Sequence, residues 1–265
     1  ILAQVSHSVT GFSSSLLSFV MSAAADVVGW IANVFTLFFF LSPVPTCKRI
    51  VQKKDAEFFS PVPYFTAIFN CSLWVFYCLI TTDENLLPNI TINLTGAVLE
   101  SMYIVVFLLY SRNRSTVLLQ LVCVACGIGL VILLTFTVVP AGTGGWGGFK
   151  WGDDHTRSSA VGAFTDILNI AMYGSPLVVM ARVVATKSVE YMPLPVSVMV
   201  FICSSLWAAQ GFMLSNQTIY IPNVLGVLLG AAQLVLYSMY RNSTPVPSSK
   251  DSENEERDTG KLPLV

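Results

Sequence analysis

The sequence predicts an all-α integral membrane fold. Seven transmembrane helices form two parallel three-helix bundles, with one linker helix between them (3+1+3). Three observations predict this. Of 265 residues, 54% are hydrophobic and only 11% charged, where a typical soluble domain carries roughly 25% charged residues; mean hydropathy is +0.68. Seven apolar runs reach the roughly 20 residues that cross a hydrocarbon core. The first three of those runs are echoed by the last three. A net charge of −1 carries no bias toward nucleic acid.

Residues 1–20 open at Ile1, are Ser-rich and lack the basic start of a signal peptide. They are read as an N-terminal extension, not necessarily native. The first bundle, 21–114, holds the runs Val20–Leu41, Val62–Thr81 and Leu86–Tyr110. The linker helix, 115–140, is the run Val117–Val139. Residues 141–159 include "GTGGWGGFKWGDD", which is glycine-rich but lacks the Gly-Lys-Ser/Thr ending of a phosphate loop; they are read as a non-cytosolic loop. The second bundle, 160–241, holds Ala160–Val184, Leu194–Leu214 and Ile219–Tyr240. The polar, charged remainder, 242–265, is read as a disordered cytosolic tail.

Charge sets the orientation. Lys48, Arg49, Lys53 and Lys54 follow the first run, Arg112 and Arg114 the third, and Arg182 and Lys187 flank the end of the fifth. With Arg241, Lys250, Arg257 and Lys261, twelve of the 14 Lys and Arg lie on one side, against Lys150 and Arg157 on the other. The positive-inside rule then places the N-terminus in a lumen or outside the cell and the C-terminus in the cytosol.

The repeat is direct. A shift of 133 residues carries "SPVPTCKRIVQKKDAE" from Ser42 onto "SPLVVMARVVATKSVE" from Ser175, without a gap. The same shift carries Ser72–Trp74 onto Ser205–Trp207; with three residues dropped, Asn93 meets Asn223, Gly96 meets Gly226 and Tyr110 meets Tyr240. Three spans are an odd number, so a fourth is needed to start the second copy on the same side as the first. The copies are therefore parallel, one of two symmetric plans of secondary transporters, with substrate held near the midplane between the halves.

Matched polar residues inside apolar spans are the first candidates for function. Asn93 and Asn223 offer donors and acceptors to a polyol, or hydrogen-bond neighbouring helices. Trp74 and Trp207 offer an indole face to a pyranose ring and an N–H to a hydroxyl, or pack against lipid. Pro43 and Pro176 recur with a preceding serine in both copies, as helix stops or as kinks whose freed carbonyls find other partners. Asp26, Glu100 and Asp166 are acids in membrane runs, a feature that usually marks ion paths, but they do not match one another across the repeat. Cys123 and Cys126 form a CxxC with no second pair or nearby histidine; it is read as packing rather than as a metal or redox site. Asn89-Ile-Thr91 is a glycosylation sequon on the non-cytosolic side.

The segments "FLSPVPT", "PVPY", "TIN..GAVLE..Y", "YGSPL..M", "TKSVEYMP" and "IPN..G..LG..QL.LY" together resemble the SWEET family of sugar uniporters, over nearly the whole chain from about Ala25 to Asn242. The resemblance implies two triple-helix bundles with the third helix between the first two, and passive, bidirectional sugar transport by alternating access without a cofactor. It implies that Asn93 and Asn223 bind sugar and that Trp74 and Trp207 line the pocket. Small residues at the tryptophan positions accompany sucrose transport, so two tryptophans favour a hexose such as glucose or fructose. It also implies hinge prolines at Pro43, Pro63, Pro176 and Pro193, an outer gate at Tyr77 and Asn216, and a homo-oligomer. Gln210 stands where a second gate tyrosine is common, and Asn216 where many members have an aspartate, which puts a tyrosine–carboxylate gate in doubt. The tail looks most like the vacuolar-membrane branch; the plasma membrane is the alternative.

Rival classes fit less well. A seven-helix receptor shares the topology but not the duplication, and the seventh span lacks Asn-Pro-x-x-Tyr. A retinal-type pump needs a lysine that Ile219–Tyr240 does not have. An intramembrane enzyme needs a His, Cys or paired-Asp constellation, while His7 and His155 lie outside the spans. A proton-coupled sugar symporter is the nearest rival.

Overall fold

The structure is a computed structural model that describes residues 2–56, 59–81, 86–138 and 155–243. Among these residues the chain is all helix: α1 (Leu2–Leu41), α2 (Val44–Lys53), α3 (Val62–Ile80), α4 (Leu87–Tyr110), α5 (Arg114–Thr137), α6 (His155–Met172), α7 (Gly174–Thr186), α8 (Leu194–Met213) and α9 (Gln217–Tyr240). Seven segments are long and apolar enough to cross a membrane; α1 with α2 and α6 with α7 each count as one. Most of the loop expected at 141–159 and nearly all of the tail 242–265 lie outside the described residues.

Helix starts follow from proline and asparagine. Prolines stand at the first or second position of α2, α3, α4 and α8, where a missing N–H removes no intrahelical bond. Asn113 and Asn216 cap α5 and α9, each side-chain oxygen accepting from the backbone N–H three residues on at 3.3 Å. Helix ends repeat too. Lys54 closes α2 and Lys187 closes α7, both in the left-handed region at φ 54°. That conformation is uncommon without glycine, and its recurrence 133 residues on shows how closely the copies fold alike.

One expected span, Ala160–Val184, is broken rather than continuous, and the first, Val20–Leu41, ends as expected at a break before α2. Pro43 bars its ring from the Phe39 carbonyl one turn back, and Ser42 donates to that carbonyl through both N (3.0 Å) and Oγ (2.7 Å). In the second copy the break falls at Tyr173, between α6 and α7, with Pro176 in the first turn of α7. The N-terminal stretch read as an extension is continuous with α1 from Leu2, in a helix of 40 residues. At 1.5 Å per residue it is about 60 Å long, well beyond a bilayer core of roughly 30 Å.

Within each bundle the third helix lies between the first two. Helix α4 packs on α1, α2 and α3, and α9 packs on α6, α7 and α8. Glycine sets the spacing at matched positions. A Cβ on Gly96 would collide with Phe40 and Cys71; one on Gly226 would collide with Tyr173 and Ser204, the same two positions one repeat later. The bundles meet through α1 against α8 and α3 against α6, two contacts that the repeat interchanges. Helix α5 leans on α3, α4 and α6. Cys123 and Cys126 stand exposed on α5, so the CxxC is surface on this helix rather than core packing.

The basic end of each bundle has its own apolar plug. Ile50, Ala56, Phe65, Ile104, Phe107 and Val117 form one; Met180, Val183 and Met192 form the other. Arg112 donates from Nε to Asp55 at 3.0 Å and from Nη2 at 2.5 Å, tying the segment after α2 to the end of α4. That hydrogen bond holds the Arg112 pKa above its ordinary value. In the second copy, Lys187 Nζ donates to the Tyr240 hydroxyl at 3.1 Å.

Candidate functional site, a cavity on the repeat axis

A cavity of about 260 Å³ lies between the bundles. Its lining comes in twins under the repeat: Thr36 with Asn169, Phe40 with Tyr173, Trp74 with Trp207, and Asn93 with Asn223. Each pair faces the cavity from opposite copies, so the space sits on the pseudo-two-fold axis. The structure thus brings the four expected binding residues together.

The asparagines are held alike. Asn93 Nδ2 donates to the Asn89 carbonyl at 2.9 Å, and Asn223 Nδ2 to the Ile219 carbonyl at 2.6 Å. Each bond reaches back one turn within its own helix, so the amides are oriented by their own backbone rather than by each other. An amide has two N–H donors and two oxygen lone pairs. One N–H of each is thereby engaged, and the rest can serve a polyhydroxyl ligand from two sides.

The tryptophans differ. Trp207 Nε1 donates to Thr36 Oγ1 at 3.0 Å, so its N–H is committed to α1 and only the indole face serves a ligand. Trp74 is buried and packs edge-on against Tyr77, ring centroids 5.7 Å apart. On that side the cavity is shut. Trp74, Tyr77, Cys78, Ile80, Leu86, Val161 and Ile219 form an apolar layer at the end opposite the basic one. Within it, Tyr77 and Asn216 hydrogen-bond through the hydroxyl at 3.0–3.1 Å. The contact between the two residues expected at the outer gate is therefore neutral, tyrosine to amide.

The prolines separate into two kinds. Pro43 and Pro176 adjoin the helix breaks. Pro63 lies in the first turn of α3 and Pro193 is the N-cap of α8, positions where no helical hydrogen bond is lost. Bending by a missing bond is thus open to Pro43 and Pro176 at the two breaks and to Pro222 inside α9. Pro222, unweighed in the sequence, is buried inside α9 and lines the cavity, and its carbonyl accepts from the Tyr173 hydroxyl at 2.8 Å.

Glycosylation at Asn89 is corrected. The side chain is 3% exposed, on the first turn of α4, and lines the cavity. A glycan needs an accessible surface amide, and a sugar tree cannot be carried there. The cavity residues that sequence reasoning missed include Thr36, Phe40, Asn89, Asn169, Tyr173 and Pro222. Most were reachable by extending the 133-residue shift upstream of Ser42.

Comparison with known proteins now places the chain. The family described as "Sugar efflux transporter for intercellular exchange" (MtN3/saliva) matches residues 26–115 and 159–245, the two bundles without the linker. The chain is 36% identical to the bidirectional sugar transporter SWEET16 of Arabidopsis thaliana, over 87% of this chain and 96% of that one. It is 36% identical to SWEET7b of Oryza sativa subsp. indica, over 86% and 82%. A solved structure of a eukaryotic SWEET transporter, 35% identical, superposes with a TM-score of 0.73 over 86% of this chain and all of that one. Duplicated bundles, a cavity on their shared axis and these likenesses together show that the chain belongs to the MtN3/SWEET family of sugar transporters.

Proposed function

We propose that the chain is a bidirectional facilitative uniporter that moves hexoses, glucose or fructose, down their gradient by alternating access. The observation that carries this is the pairing of Asn93 and Asn223 on one small cavity that is sealed at one end only by a thin apolar layer and the Tyr77–Asn216 contact. With the basic end in the cytosol, the state seen here is closed on the lumenal or extracellular side. Asn93 and Asn223 bind hydroxyls, and Trp74 and Trp207 sandwich the ring. Pro43 and Pro176 act as the hinges, while Pro63 and Pro193 set the angles at which α3 and α8 leave their loops.

Size favours a monosaccharide. About 260 Å³ lies just under the roughly 300 Å³ at which small-molecule pockets begin, and two indoles occupy the walls. The vacuolar membrane is the assigned location on the character of the tail, and a homo-oligomer belongs to the same reading. Imaging of a tagged full-length chain and native mass spectrometry of the purified protein test these two points.

One observation favours proton coupling as a second reading. Glu100 Oε2 and Asp166 Oδ1 are buried without hydrogen-bond partners. Labelled glucose and fructose uptake in a host lacking its own hexose carriers separates the two. A uniporter equilibrates sugar with or without a proton ionophore; accumulation above the outside concentration that the ionophore abolishes would establish symport instead.

A further inference from the structure

The twins that line the cavity are not all alike, and one pair sets an amide against a hydrocarbon. Asn89 lines the wall of the first copy, and its repeat twin on the opposite wall is Ile219. Asn89 Oδ1 is buried and has no hydrogen-bond partner, although the residue's backbone carbonyl supports Asn93. Burying an amide oxygen without a donor is unfavourable. An acceptor so placed beside a binding amide fits a donor that arrives with the substrate.

Symmetry adds a second reason. Two asparagines related by a two-fold axis hold a polyol equally well in either of two orientations related by a half-turn. Asn70 Oδ1 on the same wall is likewise unpartnered, but Asn89 is the one that faces an apolar lining twin, Ile219, and an acceptor opposite an isoleucine makes those orientations unequal. We propose that Asn89 is a specificity-determining residue: its Oδ1 accepts one particular sugar hydroxyl and fixes which edge of the ring faces the first copy, while Ile219 packs against the C–H side opposite. This rests on the sugar-transport reading of the cavity.

The test is competition for labelled glucose uptake by glucose analogues that each lack a different hydroxyl, using the full chain and Asn89→Ile, which copies its twin. In the unaltered protein, one analogue competes about two- to tenfold more weakly than glucose, the factor expected from one net hydrogen bond. In Asn89→Ile, glucose itself weakens by a similar factor and that analogue no longer differs from it. Identical analogue profiles in the two proteins would overturn the assignment. If Asn89→Ile does not reach the membrane, Asn89→Cys is read by the same two outcomes. A glycan located on Asn89 by mass spectrometry would also overturn it, since that side chain could not then line the cavity. An unaltered protein that moves no sugar would instead bring down the reading of the cavity itself, a result distinguishable from failure at Asn89 alone.

Discussion

The two copies fold alike but differ at the positions proposed as the outer gate. In the first copy Tyr77 lies against Gly162 of α6 and bonds Asn216. Its twin, Gln210, lies in the same way against Gly29 of α1, fully buried, with neither side-chain nitrogen nor oxygen bonded. The backbones are placed equivalently, so the difference is one of side-chain chemistry alone. The basic end shows the same division. Arg112 grips Asp55 in the first copy, while the second copy has Asn242 and Ser188 at the matching positions. Glycines and left-handed caps, which fix helix spacing and chain reversal, stay paired across the repeat. The one-turn bonds of Asn93 and Asn223 stay paired as well, while the polar contacts at the two ends diverge.

The central pair is where the comparison predicts equality, and there the effect is largest. Asn93→Ala and Asn223→Ala should each lower sugar uptake by more than about tenfold, each removing hydrogen bonds that a polyol needs while leaving buried polar groups unpaired. The two losses should be similar, since each amide is held by the same one-turn bond. Labelled uptake at matched surface expression measures them. Normal transport in both variants would remove the substrate site from the axis; a loss in one alone would show that binding is not two-sided.

Gln210 comes next, as the point of greatest inequality. Its amide is buried with donors and acceptor unsatisfied, a penalty of about 1–3 kcal/mol. Gln210→Leu should therefore stabilise the closed state by about that amount, raising the melting temperature of the detergent-purified protein and slowing uptake. A melting temperature that falls would show that the amide is satisfied in the closed state and that the gate is more symmetric than its hydrogen bonds indicate.

This inequality also marks the limit of what the sequence carries. The duplication is written in spaced identities such as Ser42/Ser175 and Trp74/Trp207, and because parallel copies with an odd span count require a linker, the fold follows. The central amides were legible for the same reason. Other features depend on rotation about a helix axis. That Asn89 points into the cavity rather than toward solvent, and that the Trp207 N–H is taken by Thr36, are set by packing between α4, α1 and α8. Neither a sequon nor an apolar run records such a facing. The break at Tyr173 was hidden because the hydropathy of Ala160–Val184 continues across it.

Tyr77→Phe sharpens the comparison from the other side. It makes the first gate position as unbonded as the second while keeping the ring against Trp74 and Gly162. Loss of one neutral hydrogen bond, about 0.5–1.5 kcal/mol, should shift the balance toward the opened gate by roughly two- to tenfold. The readout is reaction of a cysteine probe in the cavity with a membrane-impermeant thiol reagent applied from the non-cytosolic side. Unchanged accessibility would assign closure to the apolar layer around Ile80, Leu86 and Ile219 rather than to the hydroxyl.

The smallest effect belongs to the basic end. Arg112 is 87% exposed in its pair with Asp55, so the attraction works through water and falls away over a screening length of roughly 8 Å at physiological salt. Exposed pairs of this kind contribute little. The apolar plug of Ile50, Phe65, Ile104 and Phe107 already holds α2, α3 and α4 together beneath it, as Met180 and Val183 do in the copy that has no such pair. Asp55→Asn should accordingly change uptake by less than about twofold at physiological salt, within what an exposed pair can contribute, and the remaining difference should shrink as salt is raised. A tenfold acceleration would mean that this contact, and not the packing beneath it, locks the basic end of the first bundle, making the two halves unequal in movement as well as in chemistry.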